Sequence, residues 1–394
     1  MLKAVIFDMD GVLVDSEPMH AKANILALQK FNISIPMEYC YRFIGSTTYF
    51  MCQSIVKDFS LDVSPEELLE ANIEMKKELL QKEGHLPIPY VVDLIKDLHA
   101  HGIKLAIASS SPLDEIEGVM SSLQIKQYFD IYISGMSVAH PKPAPDIFLK
   151  AADLLQISPS ECIIIEDSMN GVNAAYAAGI TSIGFANPNS GKQDLKNAAM
   201  LIEGFEEIDF SFLQKVHQHA HNEPVVIAVT ERLILRELTL SDIIDLYQIY
   251  QSPEVIKYID DIDNNLEVEI EKHKAYIQYA YHFYGYGLWG IFLKEDGHLI
   301  GRCGIENKMI DGVEEVELGF LIDLNYWGQG IAVESTKAVL SYTFTELQIS
   351  RVVAIIDKQN DNSIKVVESI GMKRVSELFH NHHSCYKYVI TNQA

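Results

Sequence analysis

Short apolar runs recur along the first half of the chain and predict buried β-strands separated by helices. The helical stretches between them carry apolar residues at helical spacing. Strands that alternate with helices predict a doubly wound parallel sheet of the α/β class, with any ligand at the carboxyl ends of the strands. The apolar runs are "LKAVIF" (2–7), "IKLAIAS" (103–109), "IYIS" (131–134), "CIIIE" (162–166) and "TSIGFA" (181–186).

From about residue 16 to residue 85 this alternation stops, and only helical patterns remain. The clearest helix start combines Ser64 as N-cap, Pro65 in the first turn and Glu67 as the capping-box acid. A helical insert that directly follows the first strand lies above the carboxyl ends of the sheet. We therefore predict a helical cap that acts as a lid over the ligand site.

The pattern changes again after residue 205. The stretch "KVHQHAHNEP" (215–224) has the composition of a linker, and we interpret its alternating His217, His219 and His221 as solvated. New strand and helix signals begin near "TERLILRELTLSD" (230–242), without a repeat of the first half. The predicted organisation is one domain at residues 1–215, a linker at 216–227 and a mixed α+β domain at 228–394.

Composition and charge narrow the function. The chain of 394 residues is 48% hydrophobic and carries a formal net charge of −24. Residues 1–220 hold 16 basic and 29 acidic side chains and the rest hold 15 and 26, so both halves are acidic. Nucleic-acid binding through a broad basic face is disfavoured. The five cysteines are scattered and are expected to be reduced. Without a signal-type start or a membrane-length apolar run, we expect a cytoplasmic protein. No motif indicates the oligomeric state.

Two aspartates follow the first predicted strand in "DMDG", where Asp8 and Asp10 precede Gly11. Two carboxylates that converge at a strand end repel each other unless a cation intervenes, and hard oxygen ligands suit Mg²⁺. Taken alone, such a pair is more often a solvated strand end than a catalytic pair.

Three further polar motifs follow later strands. Ser109 and Ser110 in "ASSSP" offer hydroxyl and backbone N–H groups to an anion, and Lys142 in "HPKPAPD" offers a fixed positive charge. In "IIIEDSMNG", Glu166 and Asp167 add acidic ligands beside a helix start. Each motif alone could be a serine-rich turn, a surface lysine or a helix cap. Together they predict one site at the carboxyl edge of the sheet.

Residues 1 to about 215 resemble the haloacid dehalogenase superfamily of phosphotransferases, which has a Rossmann-like core. Its four motifs are matched in order by Asp8 and Asp10, Ser109, Lys142, and Glu166 with Asp167. The resemblance implies that Asp8 is a nucleophile that forms an aspartyl phosphate and that Asp10 is the general acid and base. It also implies a Mg²⁺ site formed by Asp8, Asp10 and Asp167 with Glu166 in support. Ser109 and Lys142 would hold the phosphoryl oxygens.

The helical insert resembles the cap of the subgroup that contains sugar-phosphate phosphatases and β-phosphoglucomutase. The resemblance implies that the cap residues His20 and Thr48, together with Ser110, contact substrate. Thr48 in "FIGSTTYF" stands where the mutase has an arginine for a second phosphate. We therefore expect a Mg²⁺-dependent phosphatase of small sugar phosphates, with a phosphomutase as the alternative.

In the second half, "VELGFLIDLNYWGQGIAVES" predicts a strand, a glycine-bearing turn and a helix. Gly328 and Gly330 let consecutive N–H groups form an anion-binding nest at a helix start, which suits a pyrophosphate. The alternative is a tight strand-to-helix connection without a ligand.

This half resembles the GNAT family of N-acetyltransferases over about residues 225–394. The resemblance implies acetyl-CoA as cofactor and an amine as acceptor. Glu317 is the candidate base, and its alternative is a plain surface residue. At the place of the family's usual tyrosine acid the chain has Val367, four residues before Gly371. The residues expected to contact acetyl-CoA are Gly328, Gln329, Gly330, Ile331, Ala332, Asn360 and Ser363.

The aromatic stretch "AYIQYAYHFYGYGLW" (275–289) could line a substrate pocket. Its spacing at Tyr276, Tyr279 and Phe283 favours packing in the core instead. Two hypotheses follow for the second domain: an active acetyltransferase, or a degenerate domain that binds the coenzyme as a sensor or serves only in assembly.

Overall fold

The computed structural model describes residues 1–36, 39, 48–259, 262–380 and 382–392. The chain divides into two compact units, Met1–His221 and Asn222–Ala394. Within the described ranges, we find no helix with both the length and the apolar character needed to cross a membrane.

The first unit is built on a six-stranded sheet in which every neighbouring pair is parallel, in the order β3-β2-β1-β4-β5-β6. Apolar residues fill both faces, because the helices between the strands cover the sheet on both sides. This confirms the predicted α/β class. The strands are β1 (Ala4–Phe7), β2 (Lys104–Ser109), β3 (Ile131–Ser134), β4 (Cys162–Glu166), β5 (Thr181–Phe185) and β6 (Met200–Ile202).

The helical insert has its own small apolar core, formed where the first three helices pack together. Ser64 caps the third of them with the expected capping box. The chain enters and leaves the insert as a paired segment, since Asp15 N donates to Leu86 O and Ile88 N donates to Leu13 O. The helices of this unit are α1 (Glu17–Lys30), α2 (Thr48–Asp58), α3 (Pro65–Glu83), α4 (Val91–Ala100), α5 (Leu113–Ser122), α6 (Asp146–Leu155), α7 (Met169–Ala177) and α8 (Phe210–Ala220).

The second unit is built on an eight-stranded mixed sheet in the order β13-β14-β12-β11-β10-β9-β8-β7. All described pairs are antiparallel except β11 with β12. The strands are β7 (Val226–Val229), β8 (Leu233–Arg236), β9 (Leu288–Leu293), β10 (Leu299–Ile310), β11 (Val313–Ile322), β12 (Arg351–Asp357), β13 (Lys373–His380) and β14 (His383–Thr391). The helices are α9 (Ile243–Tyr250), α10 (Pro253–Ile256), α11 (Leu266–Tyr276), α12 (Ile331–Thr345) and α13 (Asp361–Ser369).

The prediction of a linker at 216–227 is wrong for residues 216–220, which form the end of α8, and for residues 226–227, which begin β7. His217 is buried, with Nε2 of its ring 2.8 Å from the carbonyl oxygen of Ser160, and its ring stacks on that of His221. The helix carries its apolar residues at helical spacing, and His217 lies on that buried face beside Leu213 and Val216. The histidines alternate with other residues in the sequence, and this alternation does not indicate a helix with a buried face.

The prediction that the aromatic stretch packs in the core is confirmed for Tyr281 and Trp289, which are buried, and for Tyr276, which packs against them, but it is wrong for two rings. Tyr279 and Phe283 are 60% and 75% exposed. The reason is local: residues Ile277–Tyr284 form a π-helix, in which the residues of one face recur at wider spacing than in an α-helix. The regular helical spacing therefore does not place these rings on one buried stripe.

Candidate active sites

Asp8 follows β1 and is buried against the carboxyl edge of the sheet, where Lys142 meets it. Lys142 Nζ lies 2.5 Å from Asp8 Oδ1, 2.7 Å from Glu166 Oε1 and 3.0 Å from the carbonyl oxygen of Ala108. The ammonium also lies 4.8 Å from the centre of the Phe148 ring. One oxygen of Asp8 is thus held by a fixed charge.

Asp10 is oriented by a residue that the motifs did not single out. Ser111 donates a hydrogen bond from Oγ to Asp10 Oδ2 at 2.6 Å. Ser134 in turn donates from its hydroxyl to the carbonyl oxygen of Ser111 at 2.7 Å, and the backbone N–H of Ser111 donates to Ser109 Oγ. The serine-rich turn after β2 is therefore the support of the second aspartate.

Glu166 and Asp167, at the end of β4, have different surroundings. Glu166 Oε2 accepts hydrogen bonds from the N–H and the hydroxyl of Ser168, and Oε1 receives Lys142. Asp167 accepts a hydrogen bond from the Ser190 hydroxyl, and a Cβ atom on Gly11 would overlap its carboxylate. Glu166 consequently positions the lysine and the helix start, while Asp167 faces the turn at Gly11.

This set of donors fits Mg²⁺. Lys142 is the cation that the described contacts place among Asp8, Glu166 and Asp167, so negative charge is in excess. Burial, followed by the charge of Glu166 and other neighbours, raises the pKa of Asp8 to about 7, and burial with the charges of Glu166 and Asp8 raises that of Asp167. Within the described residues no three side-chain ligands converge as a metal cluster. Asp8 and Asp167 would hold the ion together with a backbone carbonyl at Asp10, as the resemblance implies.

The loop after β5 supplies further residues that sequence reasoning missed. Asn187 donates from Nδ2 to the carbonyl oxygen of Gly11 at 2.9 Å, and Asn189 donates to Asp15 Oδ2 at 2.7 Å. With Ser190 they brace the turn that carries both aspartates. Their signal in the sequence is "ANPNSG", a polar loop directly after a buried strand, as after β1, β2 and β4.

The predicted substrate residues differ in their exposure to solvent. His20 on α1 has a buried ring Nε2 that has no hydrogen-bond partner among the described residues, and burial lowers the pKa of this ring. Ser110 and Thr48 are exposed. Residues 43–47 of the loop "FIGSTTYF" lie outside the described residues. The buried hydroxyl of Ser16 likewise has no partner in the part of the chain that the structure describes, which makes it a second polar group near the start of the cap.

In the second unit, the parallel strands β11 and β12 pair at one register position, Glu317 with Val353. Glu317 lies at this paired position, on β11. Burial raises the pKa of Glu317 to about 7. A carboxyl with this pKa can accept a proton near neutral pH.

The glycine turn before α12 has the backbone that the sequence predicts. Gly328 and Gly330 have φ values of +74° and +79°, and Gly330 is the N-cap of the helix that begins at Ile331 and Ala332. Arg232 donates from Nη1 to the carbonyl oxygen of Gln329 at 3.0 Å, and its guanidinium forms an ion pair with Glu334 of α12 at 2.6 Å. The turn therefore combines left-handed glycines and a helix start, braced by this ion pair.

The other predicted coenzyme contacts lie at the start of α13. Asn360 is the N-cap of this helix, and its Oδ1 accepts a hydrogen bond from the N–H of Ser363 at 3.1 Å. Val367 is fully buried, so the position of the family's usual acid is part of the core here. A contact of Asn360 or Ser363 with acetyl-CoA stays a prediction.

Two family models match the chain. The model of the haloacid dehalogenase-like hydrolase family matches residues 5–185, and that of the acetyltransferase (GNAT) domain matches residues 232–373. Both resemblances noted in the sequence are thereby confirmed, and the chain is a hydrolase-type unit fused to an acetyltransferase-type unit.

The relatives of the chain include phosphatases. It is 31% identical to a fructose-1-phosphate phosphatase of Escherichia coli over 179 residues, which are 45% of this chain and 94% of the relative. It is 32% identical to a phosphorylated carbohydrates phosphatase of Thermotoga maritima over 212 residues, 52% of this chain and 96% of the relative. A solved structure of β-phosphoglucomutase from Clostridium difficile has a TM-score of 0.48 at 25% identity, and the match covers 57% of this chain and 100% of that one.

Proposed function

We propose, since the chain belongs to the haloacid dehalogenase-like hydrolase family, that its first unit is a Mg²⁺-dependent phosphatase of small sugar phosphates. The observation that carries this proposal is the position of Lys142 between Asp8 and Glu166, at 2.5 and 2.7 Å. In this arrangement Asp8 is a buried nucleophile: Lys142 holds one of its carboxylate oxygens, and the other is available to attack phosphorus. The named activities of the E. coli and T. maritima relatives support the substrate class.

In the first step, an oxygen of Asp8 attacks the phosphorus atom and the bond from phosphorus to the sugar oxygen breaks. Asp10 gives its proton to the departing alkoxide. Lys142 and the hydroxyl of Ser109 hold the phosphoryl oxygens, where donors in fixed positions stabilise the developing charge. Mg²⁺ bound by Asp8, the Asp10 carbonyl and Asp167 would neutralise negative charge on the phosphoryl group.

In the second step, Asp10 accepts a proton from a water molecule. The water oxygen bonds to phosphorus, the bond to Asp8 breaks and inorganic phosphate leaves. Ser111 keeps the Asp10 carboxyl oriented for both proton transfers, because the backbone carbonyl and N–H of Ser111 are fixed by hydrogen bonds with Ser134 and Ser109. Dividing the displacement through a covalent intermediate lowers the barrier of each part.

The cap is the source of substrate selection in this proposal. His20 and Ser16 offer buried polar atoms without partners in the described structure, and such atoms are costly unless a ligand or water satisfies them. Hydroxyl groups of a sugar fit this requirement. A sugar phosphate is therefore a better match than an apolar phosphate ester.

The test is release of phosphate from a hexose-phosphate panel by the full chain with Mg²⁺, after chelation, and by Asp8→Asn. We expect release only with Mg²⁺ and an intact Asp8. Equal rates for Asp8→Asn and the unaltered chain contradict the proposal. Conversion of one hexose phosphate into its isomer without phosphate release identifies the phosphomutase alternative.

We further propose that the second unit transfers the acetyl group of acetyl-CoA to an amine. Glu317 with its raised pKa, at the position where β11 and β12 pair, supports a direct transfer in which it removes the proton of the amine. The amine nitrogen bonds to the acetyl carbon and the carbon–sulfur bond breaks. The glycine turn at the start of α12 would bind the pyrophosphate of the coenzyme.

Acetyl-CoA binding, followed by turnover with polyamines, amino sugars and peptide N-termini, separates the two hypotheses for this unit. Turnover on an amine supports the transferase. Tight binding without turnover on every amine tested indicates a coenzyme sensor, and absence of binding indicates a role in assembly only.

A further inference from the structure

Glu17, the first residue of α1, is a carboxylate without a partner in the described part of the chain. It is half-buried, and among the described residues it forms neither a hydrogen bond nor an ion pair. The N–H groups of the first helical turn are the usual partners of an acidic residue at this position, and none of the described hydrogen bonds joins them to Glu17. A carboxylate in this state is costly unless a ligand or water supplies a donor.

The turn after β1 brings Glu17 close to Asp10. The N–H of Gly11 donates to the carbonyl oxygen of Val14 at 2.8 Å, and Asp10 and Val14 form a β-bridge, so the chain folds back before α1 begins. Burial, followed by the charges of Asp10 and Asp15, raises the pKa of Glu17 to about 7, which requires that these carboxylates are near neighbours. Glu17 therefore lies beside the general acid of the proposed phosphatase reaction.

His20 lies on the same side of α1 as Glu17, because residues three apart are neighbours on a helix surface. The buried Nε2 of His20 has no partner among the described residues, and the charge of Asp10 acts on this ring as well. One face of α1 thus carries two polar groups beside Asp10, and neither is satisfied within the described structure.

Lys76 of α3 is the cation near these groups, but its ammonium is paired with a different carboxylate. Its Nζ lies 2.9 Å from Oε2 of Glu115 on α5, and this ion pair connects the helical insert to a helix of the sheet. The charge of Lys76 also lowers the pKa of Glu17, but burial and the two aspartates outweigh it. Glu17 is therefore not neutralised by the lysine.

Negative charge is in excess around this face of α1. Burial, followed by the charge of Lys76, lowers the pKa of both His20 and His85, so these two rings are uncharged at neutral pH. A cation is attracted to such a place and an anion is repelled. Among the described residues, the charged groups that act on one another here are four carboxylates and one ammonium: Asp10, Asp15, Glu17, Glu115 and Lys76.

Solvent reaches this place from the turn after β2. Ser110 in that turn is exposed, and Asp10 and Glu17 are partly exposed. The side chains of Lys76 and Glu115 are 23% and 40% exposed. Because Asp10 protonates the departing oxygen in the proposed reaction, the leaving group of the substrate lies beside Asp10, and hence beside Glu17.

We infer that the alcohol released by the first unit carries an ammonium group, which the carboxylate of Glu17 binds. This inference rests on the proposed phosphatase activity and narrows its substrates to phosphate esters of amino sugars or amino alcohols. The ammonium supplies the donor that Glu17 lacks, and a hydrogen bond between two charged groups is stronger than one to a neutral hydroxyl. A carboxylate or a second phosphate on the alcohol meets repulsion at the same place.

The experiment measures phosphate release by the full chain with Mg²⁺ at neutral pH, on esters that differ in the charge of the alcohol. The two-carbon series is 2-aminoethyl phosphate, 2-hydroxyethyl phosphate and phosphoglycolate. The sugar series is glucosamine 6-phosphate, glucose 6-phosphate and N-acetylglucosamine 6-phosphate. We expect kcat/KM of the ammonium member of at least one series to exceed that of its neutral partners by about tenfold or more, the usual effect of a hydrogen bond to a charged group. Phosphoglycolate should not exceed 2-hydroxyethyl phosphate.

Glu17→Gln should bring the ammonium and neutral esters to similar kcat/KM by raising KM for the ammonium ester, because the amide carries no charge. Glu17→Asp should retain part of the preference. Glu70→Gln, which removes an exposed glutamate of the same helical insert, should retain all of it. Phosphate release from the neutral esters reports whether each variant folds. If Glu17→Gln does not fold, Glu17→Asp and the two series decide.

Neutral esters used as well as the ammonium esters in both series, or preferred use of phosphoglycolate, overturn the inference while the phosphatase proposal stands. Equal loss on ammonium and neutral esters in Glu17→Gln also overturns it, because Glu17 then binds a hydroxyl group or positions Asp10. If every ester is inert, the phosphatase proposal fails, and binding of glucosamine 6-phosphate and glucose 6-phosphate is compared by calorimetry. Tighter binding of glucosamine 6-phosphate that Glu17→Gln abolishes supports the inference, and equal binding or no binding overturns it.

Discussion

Ser111 donates a hydrogen bond to Asp10 at 2.6 Å across a sequence separation of 101 residues. The bond joins the turn after β2 to the turn after β1, and the Ser111 carbonyl is itself held by Ser134. The second aspartate of the motif is therefore positioned by a serine rather than by its own loop.

Replacing Ser111 by alanine should reduce kcat for phosphate release by about tenfold to a hundredfold, the usual effect of losing a hydrogen bond to a charged group. KM should change little, because the oriented group acts on protons and not on binding. Steady-state kinetics on the best hexose phosphate measures both. Ser121→Ala removes a hydroxyl from an exposed helix position of the same unit and should have no effect. A rise in KM alone for Ser111→Ala would show that the serine binds substrate instead.

Much of this site could be predicted from the order of strands and helices in the sequence. The rest could not. Parallel strands end at one edge, so the motifs with Asp8, Lys142 and Glu166 could be predicted to meet there. The partners Ser111 and Ser190 could not, because loop conformation decides which hydroxyl of a polar turn points inward. In the second unit, a π-helix altered the faces of an aromatic segment that α-helical spacing had placed in the core.

Gly11→Ala should inactivate the phosphatase and destabilise the first unit. Gly11 has a φ of +83°, and a Cβ atom there would overlap the carboxylate of Asp167. Left-handed backbone costs a non-glycine residue about 1–2 kcal/mol, and the overlap adds about 1–3 kcal/mol more. Gly102→Ala is the matched control, since Gly102, in the turn after α4, has a φ of +74° with nothing within 4 Å of the added atom. Calorimetric unfolding should show the backbone cost in both variants and the larger loss in Gly11→Ala alone. Equal destabilisation would mean that Asp167 moves aside freely.

Lys142→Met should lower phosphate release by a hundredfold or more and destabilise the first unit by about 3–5 kcal/mol, because it leaves buried carboxylates without their positive partner. Saturating Mg²⁺ should recover part of the stability, since the ion supplies positive charge at the same cluster. Calorimetry with and without Mg²⁺ measures this recovery. The exposed Lys96→Met should match the unaltered chain in both activity and unfolding. If Lys142→Met retained full stability without Mg²⁺, the carboxylates would not depend on the lysine.

Glu317→Gln should change both acetyl transfer and the pH dependence of stability in the second unit. Burial raises the pKa of Glu317 from its ordinary value of 4.5 to about 7, so between these pH values the folded state retains a proton that the unfolded state loses. Stability contributed by this group is therefore present below pH 4.5 and falls as pH rises towards 7, by up to about 3 kcal/mol at 1.36 kcal/mol per pKa unit. Denaturant unfolding followed by tryptophan fluorescence, which reports this unit alone because both tryptophans, Trp289 and Trp327, lie in it, should show Glu317→Gln to be more stable than the unaltered chain at pH 8 and equal to it near pH 4.

The rate of transfer should rise through pH 7 in the unaltered chain and lose that rise in the variant, because only the carboxylate accepts a proton. Glu314→Gln, at an exposed position of the same strand, should reproduce the unaltered profiles. A stability difference between Glu317→Gln and the unaltered chain that is the same at every pH would assign the glutamate a packing role instead of a titrating one.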